Sequence, residues 1–263
     1  MTGNPGSRRM IAVLGTEPAP PQLERIVALA ERLQCEIRAA FMEDVALLWS
    51  AALPFTRLIA RSGASEPAFE PAAVRRAMRL MAEDVHLRLA ELARSRRLRC
   101  SFTLLAAGEL RAAVEERDLL LLTAAQARLL SALPRPPELP ASLPLVLLGE
   151  SRGPLLVIYA GNERVLQLAR NLVAGTGSEI LLLALAEDMG TARRRLREAG
   201  QRLGEVRIRE DLALTFAPDP LKQLPPDLIQ KGVGLAIVDG AVAGRLLAGL
   251  AELLHAPRAR DLT

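Results

Sequence analysis

The chain writes one pattern twice, and that repetition limits what it can fold into. From Ile11 the sequence runs IAVLG, a Pro-rich turn, the helix-like LERIVALAERL, the strand-like CEIRAAF and then Glu43-Asp44. From Leu155 it returns as LLVIY, the turn GNER, VLQLARNLVA, EILLLAL and then Glu187-Asp188. Short continuous apolar runs ended by glycine or polar residues suit strands buried on both faces of a parallel sheet. The intervening segments carry apolar residues three and four apart, such as Leu23, Ile26, Val27, Ala30 and Leu33, which gives a helix one buried stripe. Strand, helix and strand in this order make a crossover unit, and two such units predict an α/β protein of two similar halves.

Length and composition agree with this division. A chain of 263 residues, half of them apolar, suffices for two domains, here 1–150 and 151–263. Only 3% of residues are aromatic, so burial has to rest on Leu, Ala and Val. The net charge of +4 comes almost wholly from Arg, with Lys only at 222 and 231, and acidic residues are interleaved along the chain. Interleaving of that kind argues against a nucleic-acid partner. Cys35 and Cys100 stand alone in or beside predicted strands, as small buried thiols of a reducing compartment do. The first apolar run is too short for a signal-peptide core, and no stretch has the ~18 apolar residues of a membrane span. The expectation is a cytoplasmic protein without membrane insertion.

Between Asp44 and Pro71 the first half carries a segment with no counterpart in the second, and it holds Trp49, Phe55 and Phe69. From Pro71 the positions Val74, Met78, Met81, Val85, Leu89 and Leu92 predict a long helix. Cys100–Ala106 reads as a strand, Glu109–Glu116 as a short helix and Asp118–Thr123 as a buried strand. The following QARLLSALPRPPELPASLP, with five prolines, reads as a loop, and Leu145–Leu148 as a closing strand. In the second half, 189–203 reads as an Arg-rich helix, 206–216 holds a strand, and VGLAIV at 233–238 matches the DLLLL run of the first half. The chain then ends in a helix with Leu246, Leu247, Leu250, Leu253 and Leu254 on one stripe, without a counterpart of Leu145–Leu148.

In IAVLG with its helix, FMED, DLLLL and LPLVLLG, and again in LLVIYAGNER, LLLALAED and GLAIVDG, the sequence resembles the universal stress protein family in its tandem form. The resemblance implies two open parallel-sheet, Rossmann-like domains with helices on both faces, and a role in stress response. It also implies pairing through the last strand. Because only one closing strand is present, Leu145–Leu148 is expected to pair with its equivalent in a second molecule, as a homodimer, or to be covered by the C-terminal helix. Many members bind ATP through an Asp after the first strand and a loop of the form G-x2-G-x9-G-[ST] after the fourth. Glycines there let backbone N–H groups approach phosphates. This chain departs from that pattern in both halves. Thr16-Glu17 and Gly161-Asn162 follow the first strands, and prolines fill the first half's loop.

The expected function is therefore a non-enzymatic regulatory or scaffolding protein that has lost ATP binding and needs no cofactor. The alternative is an ATP- or AMP-binding stress sensor, or weak ATPase, with a degenerate site in the second half at Asp239, Gly240, Gly244 and Arg245. Glu43-Asp44 and Glu187-Asp188, at strand ends, could hold Mg²⁺ but more often cap helices or face water. Asp118 is expected in a turn or cap role, and His86 and His255 on helix surfaces. No Ser or Cys has the surroundings of a nucleophile. In the extra segment, Leu48, Trp49, Leu53, Phe55 and Leu58 form a candidate protein-docking set, since aromatic residues dominate binding hot spots.

Overall fold

The structure is a computed structural model. It describes residues 8–15, 18–43, 45–53, 71–133, 138–149, 153–174, 176, 178–217, 219–224 and 233–255. The first half contains β1 (Arg9–Leu14), α1 (Pro20–Leu33), β2 (Glu36–Met42), α2 (Val45–Ala52), α3 (Pro71–Ser95), β3 (Cys100–Leu105), α4 (Leu110–Ala113), β4 (Leu119–Thr123), α5 (Ala124–Ser131) and β5 (Pro144–Leu148). The second contains β6 (Leu155–Tyr159), α6 (Glu163–Val173), β7 (Ile180–Ala186), α7 (Met189–Leu203), β8 (Ile208–Thr215), β9 (Leu235–Asp239) and α8 (Gly240–His255). The repeated segments fold as their periodicity demands. Pro20 and Pro21 open α1, where a missing N–H costs nothing.

All these strands join one nine-stranded sheet of order β3-β2-β1-β4-β5-β9-β6-β7-β8. Every neighbouring pair is parallel except β5 and β9, which run antiparallel with Val146 opposite Ile237. Each half keeps the order third, second, first, fourth, and the halves meet head to head across β5. The expectation that β5 offers a free edge to a second molecule is corrected here. β4 takes one of its edges and β9 the other. The physical reason is that no closing strand follows β9 among the described residues. Without one β9 has an unpaired edge, and β5 satisfies the backbone groups of that edge inside the same chain.

The two large apolar clusters follow the faces of the sheet and do not divide by halves. One contains Ile11, Val13, Leu120, Leu145, Leu156, Leu183 and Val238 under α5 and α8. The other contains Met10, Ala12, Leu121, Val146, Val157, Leu182 and Ile237 under α1, α3, α6 and α7. Odd and even positions of each strand alternate between these clusters, as the pleat requires. The stripe of Leu246, Leu247, Leu250, Leu253 and Leu254 on α8 is buried in the first cluster.

A second correction concerns the segment read as a loop after β4. Its first six residues, Gln126 to Ser131, belong to α5, which is started by a capping box: the Gln126 N–H donates to Thr123 Oγ1 (3.4 Å) and the Thr123 N–H to Gln126 Oε1 (3.3 Å). The short helix expected over Glu109–Glu116 is a 3-10 turn at Ala107–Glu109 followed by the single turn of α4. No helix among the described residues is long and apolar enough to cross a membrane.

Candidate functional site

In an open parallel sheet, ligands bind at the C-terminal strand ends where the strand order reverses, between the first and fourth strands of a unit. The molecule has two such places, at opposite ends of the sheet because β5 and β9 are antiparallel.

In the second half this place lies between the ends of β6 and β9. Asp239, the last residue of β9, is buried. Its Oδ1 accepts from the Ala241 N–H at 3.2 Å and its Oδ2 from the Asn162 N–H at 3.0 Å. The starts of α8 and α6 thus both direct N–H groups onto one carboxyl group, in the position where a phosphate would sit. Burial pushes the Asp239 carboxyl above the usual carboxylate range, against the downward pull of these two N–H bonds. Asn162 caps α6 by accepting from the Arg164 N–H (3.0 Å) and donates its Nδ2 to Ser142 O at 2.9 Å. Gly240 has no free space: a Cβ there would stand 2.4 Å from Pro140 O and 2.5 Å from Leu143 O. Arg195 lies against Gly161, whose φ is +123°, and donates to Leu185 O at 2.5 Å.

The equivalent place in the first half lies between β1 and β4. Here the side chain of Gln126 reaches across from α5, so that a Cβ on Gly15 would stand 2.6 Å from its Nε2. Gln126 is itself held by Thr123, whose hydroxyl donates to Gln126 Oε1. Thr123 and Asp239 are therefore counterparts, each ending a fourth strand and capping the helix that follows. The expectation for Thr16-Glu17 lies outside the described residues.

The structure brings Asp239 and Gly240 together but sets Gly244 and Arg245 apart from them. Gly244 is exposed one turn along α8, with open space around it. Arg245 pairs with Glu187 at 3.0 Å and covers the ring of Phe216 at 4.8 Å. Asp188 caps α7 through the Thr191 N–H (2.8 Å), and that bond holds its carboxyl below the usual range. No group of three potential metal ligands occurs among the described residues. Asp118 is fully buried and bound by Arg9 through two hydrogen bonds of 2.9 and 2.8 Å. His86 is exposed on α3 and stacks on Phe102 at 4.7 Å. Burial pushes the Cys35 thiol up to about 11, which keeps it protonated and unreactive at neutral pH. Of the candidate docking set, Leu48 packs with Ala51, Val74 and Met78, while Leu53 is exposed. The Trp49 side chain, Phe55, Leu58 and the His255 side chain lie outside the described residues.

Sequence reasoning missed Gln126, Arg195 and Arg164. Gln126 had a signal, the Thr-x-x-Gln spacing of a capping box. Arg164 had none, because its partners are backbone carbonyls far away in sequence: Glu116, Arg117 (2.8 Å), Asp118 (3.3 Å) and Ser142 (3.2 Å). A cleft of about 680 Å³ lies where the halves meet, between α1 and α6. Arg25, Arg32 and Arg209 line it over a floor that includes Leu148 and Leu155. Arg25 and Arg32 act there as staples, donating to Gly234 O (2.9 Å) and Ala174 O (2.8 Å). Compared with known families and with curated proteins, the chain matches no family model and no curated protein.

Proposed function

We propose that the chain is a tandem protein of the universal-stress type, its two units fused through one sheet, that has given up nucleotide binding and acts as a non-enzymatic regulatory or scaffolding protein in the cytoplasm. The observation that carries this reading is the Asp239 carboxyl group, held by N–H groups from the starts of both α6 and α8. A nucleotide phosphate entering there would have to displace a buried acidic group already satisfied by the donors it needs. Gln126 over Gly15 gives the same outcome in the first half by different chemistry. Two crevices filled by unrelated side chains suit a scaffold that keeps the sheet and no longer uses its ligand.

Thermal-shift and calorimetric titration with ATP, ADP and AMP, each with Mg²⁺, test this proposal. A ligand at about 100 times its Kd stabilises by about 2.7 kcal/mol, which moves the melting point of a chain this size by several degrees. No shift is expected at millimolar nucleotide. A shift of several degrees, lost in Gly240→Ala, would overturn the reading in favour of a nucleotide sensor seated in the second half.

A further inference from the structure

The large exposed apolar side chains are concentrated at one end of the sheet. Leu47 on α2, Leu53 just past its end, Leu80, Met81 and Leu87 on α3, and Leu104 on β3 all lie on or beside the three elements grouped there. Leu80 and Leu87 are 62% and 70% exposed and seven residues apart, so they lie on one line along α3. That line is opposite the stripe of Val74, Met78, Ala82, Val85, Leu89 and Ala93 with which α3 faces the core. A helix with a buried stripe on one side and two bare leucines on the other has two apolar faces, and only one of them is covered by other described residues.

We propose that this outer stripe is a homodimer interface, in which α3 packs antiparallel against α3 of a second copy about a two-fold axis at Leu80. The sequence of the stripe is self-complementary in that register, as a two-fold interface requires. Leu80 meets its own equivalent. Leu87 falls opposite Ala73, where a small side chain leaves room for a large one. Arg76 falls opposite Asp84, and the reverse pair repeats on the other side of the axis. Asp84 already accepts Arg88 on Oδ2 at 2.8 Å, and its other oxygen points a second acceptor at the incoming guanidinium. The helix is 25 residues long, so the pairing overlaps over several turns. One helix pair is smaller than the roughly 1,600 Å² of a standard interface, so a weak dimer, with Kd of about 1–100 µM, is expected. This inference is independent of the regulatory reading, since it concerns neither crevice.

Sedimentation equilibrium on the full chain from about 5 to 200 µM, a range set by that affinity, should show a monomer–dimer equilibrium. The double variant Leu80→Glu/Leu87→Glu should be monomeric throughout with an unchanged melting temperature, because both side chains are exposed in the monomer. Arg76→Glu should weaken the dimer by about tenfold, and adding Asp84→Arg should restore it to within about threefold. A wild-type chain monomeric at the top of the range, or a dimer indifferent to the double variant, overturns the interface and leaves the stripe to a different protein. A charge swap that fails to restore affinity overturns the antiparallel register.

Discussion

Gly240 and Gly244 look alike in the sequence and are opposite in the structure. Both follow the fourth strand of the second half, where a phosphate loop would place its glycines. Gly240 is pressed against the carbonyls of Pro140 and Leu143, whereas Gly244 has nothing within 4 Å of where its Cβ would be. Gly240→Ala is expected to destabilise by about 1–3 kcal/mol or more as overpacking against fixed backbone. Gly244→Ala should stabilise by about 0.5–1 kcal/mol, because alanine lowers the entropy cost of an exposed helical position. Urea unfolding of the two variants measures both signs at once. Equal small effects would place the two glycines in similar surroundings, contrary to the packing seen. Asp239 gives a second test at this scale. Its folded pKa is raised above the unfolded value of about 3.9, so its contribution to stability is complete below that value and is lost as pH rises through the folded pKa. Asp239→Asn lacks this titration and keeps only one good acceptor for two N–H donors. It should therefore be less stable by about 1–3 kcal/mol at neutral pH. The gap in melting temperature to wild type should widen as pH falls from about 7 to about 4. A constant gap would remove the upward shift from Asp239.

At the scale of elements, the repeated strands and helices were legible because each carries its own period. β1, β4, β6, β7 and β9 are short, largely apolar runs, β2 alternates at its start around Arg38, and α1, α6 and α8 show a clear stripe. α5 was not legible as a helix, because five prolines in the same stretch outweighed a short helical opening. The start signal was nevertheless local, in Thr123 and Gln126. Thr123→Ala removes the oxygen that receives the Gln126 N–H, and also the group that holds Gln126 over Gly15. It should cost about 1–2 kcal/mol in thermal or urea denaturation. Thr123→Ser, which keeps the hydroxyl, should recover most of that loss. If alanine and serine behave alike, capping does not set the start of α5. The pairing of β5 with β9 was illegible for a different reason. Apart from Asp239 at the end of β9 both strands are apolar, so nothing in either one encodes its neighbour. The partner follows from β9 being the last strand among the described residues, which neither strand records by itself. Asp239 was legible as a residue at the right strand end. Its role as an acceptor shared by two helix starts was not, because Asn162, the donor that completes it, is 77 positions away.

At the scale of the molecule, the arrangement joins two sequence repeats so closely that they have no separate interiors. Each of the two large apolar clusters contains strands from both halves, and the central pair of the sheet, β5 and β9, is the join itself. Arg164 completes the join from the second half, donating to four carbonyls in the turns that precede β4 and β5. Two domains with separate cores would melt in two steps. A shared sheet with shared clusters should melt in one, with calorimetric and van't Hoff enthalpies in agreement. Arg164→Ala tests the coupling directly. Losing these charge-assisted bonds to backbone carbonyls should lower stability by about 1–3 kcal/mol. Because the clusters span the join, that loss should move the whole transition and not split it. Differential scanning calorimetry of wild type and Arg164→Ala therefore reads the architecture through one side chain. A single peak shifted down by several degrees is the expected trace, while two resolved peaks in the variant would mean that the halves hold their structure independently.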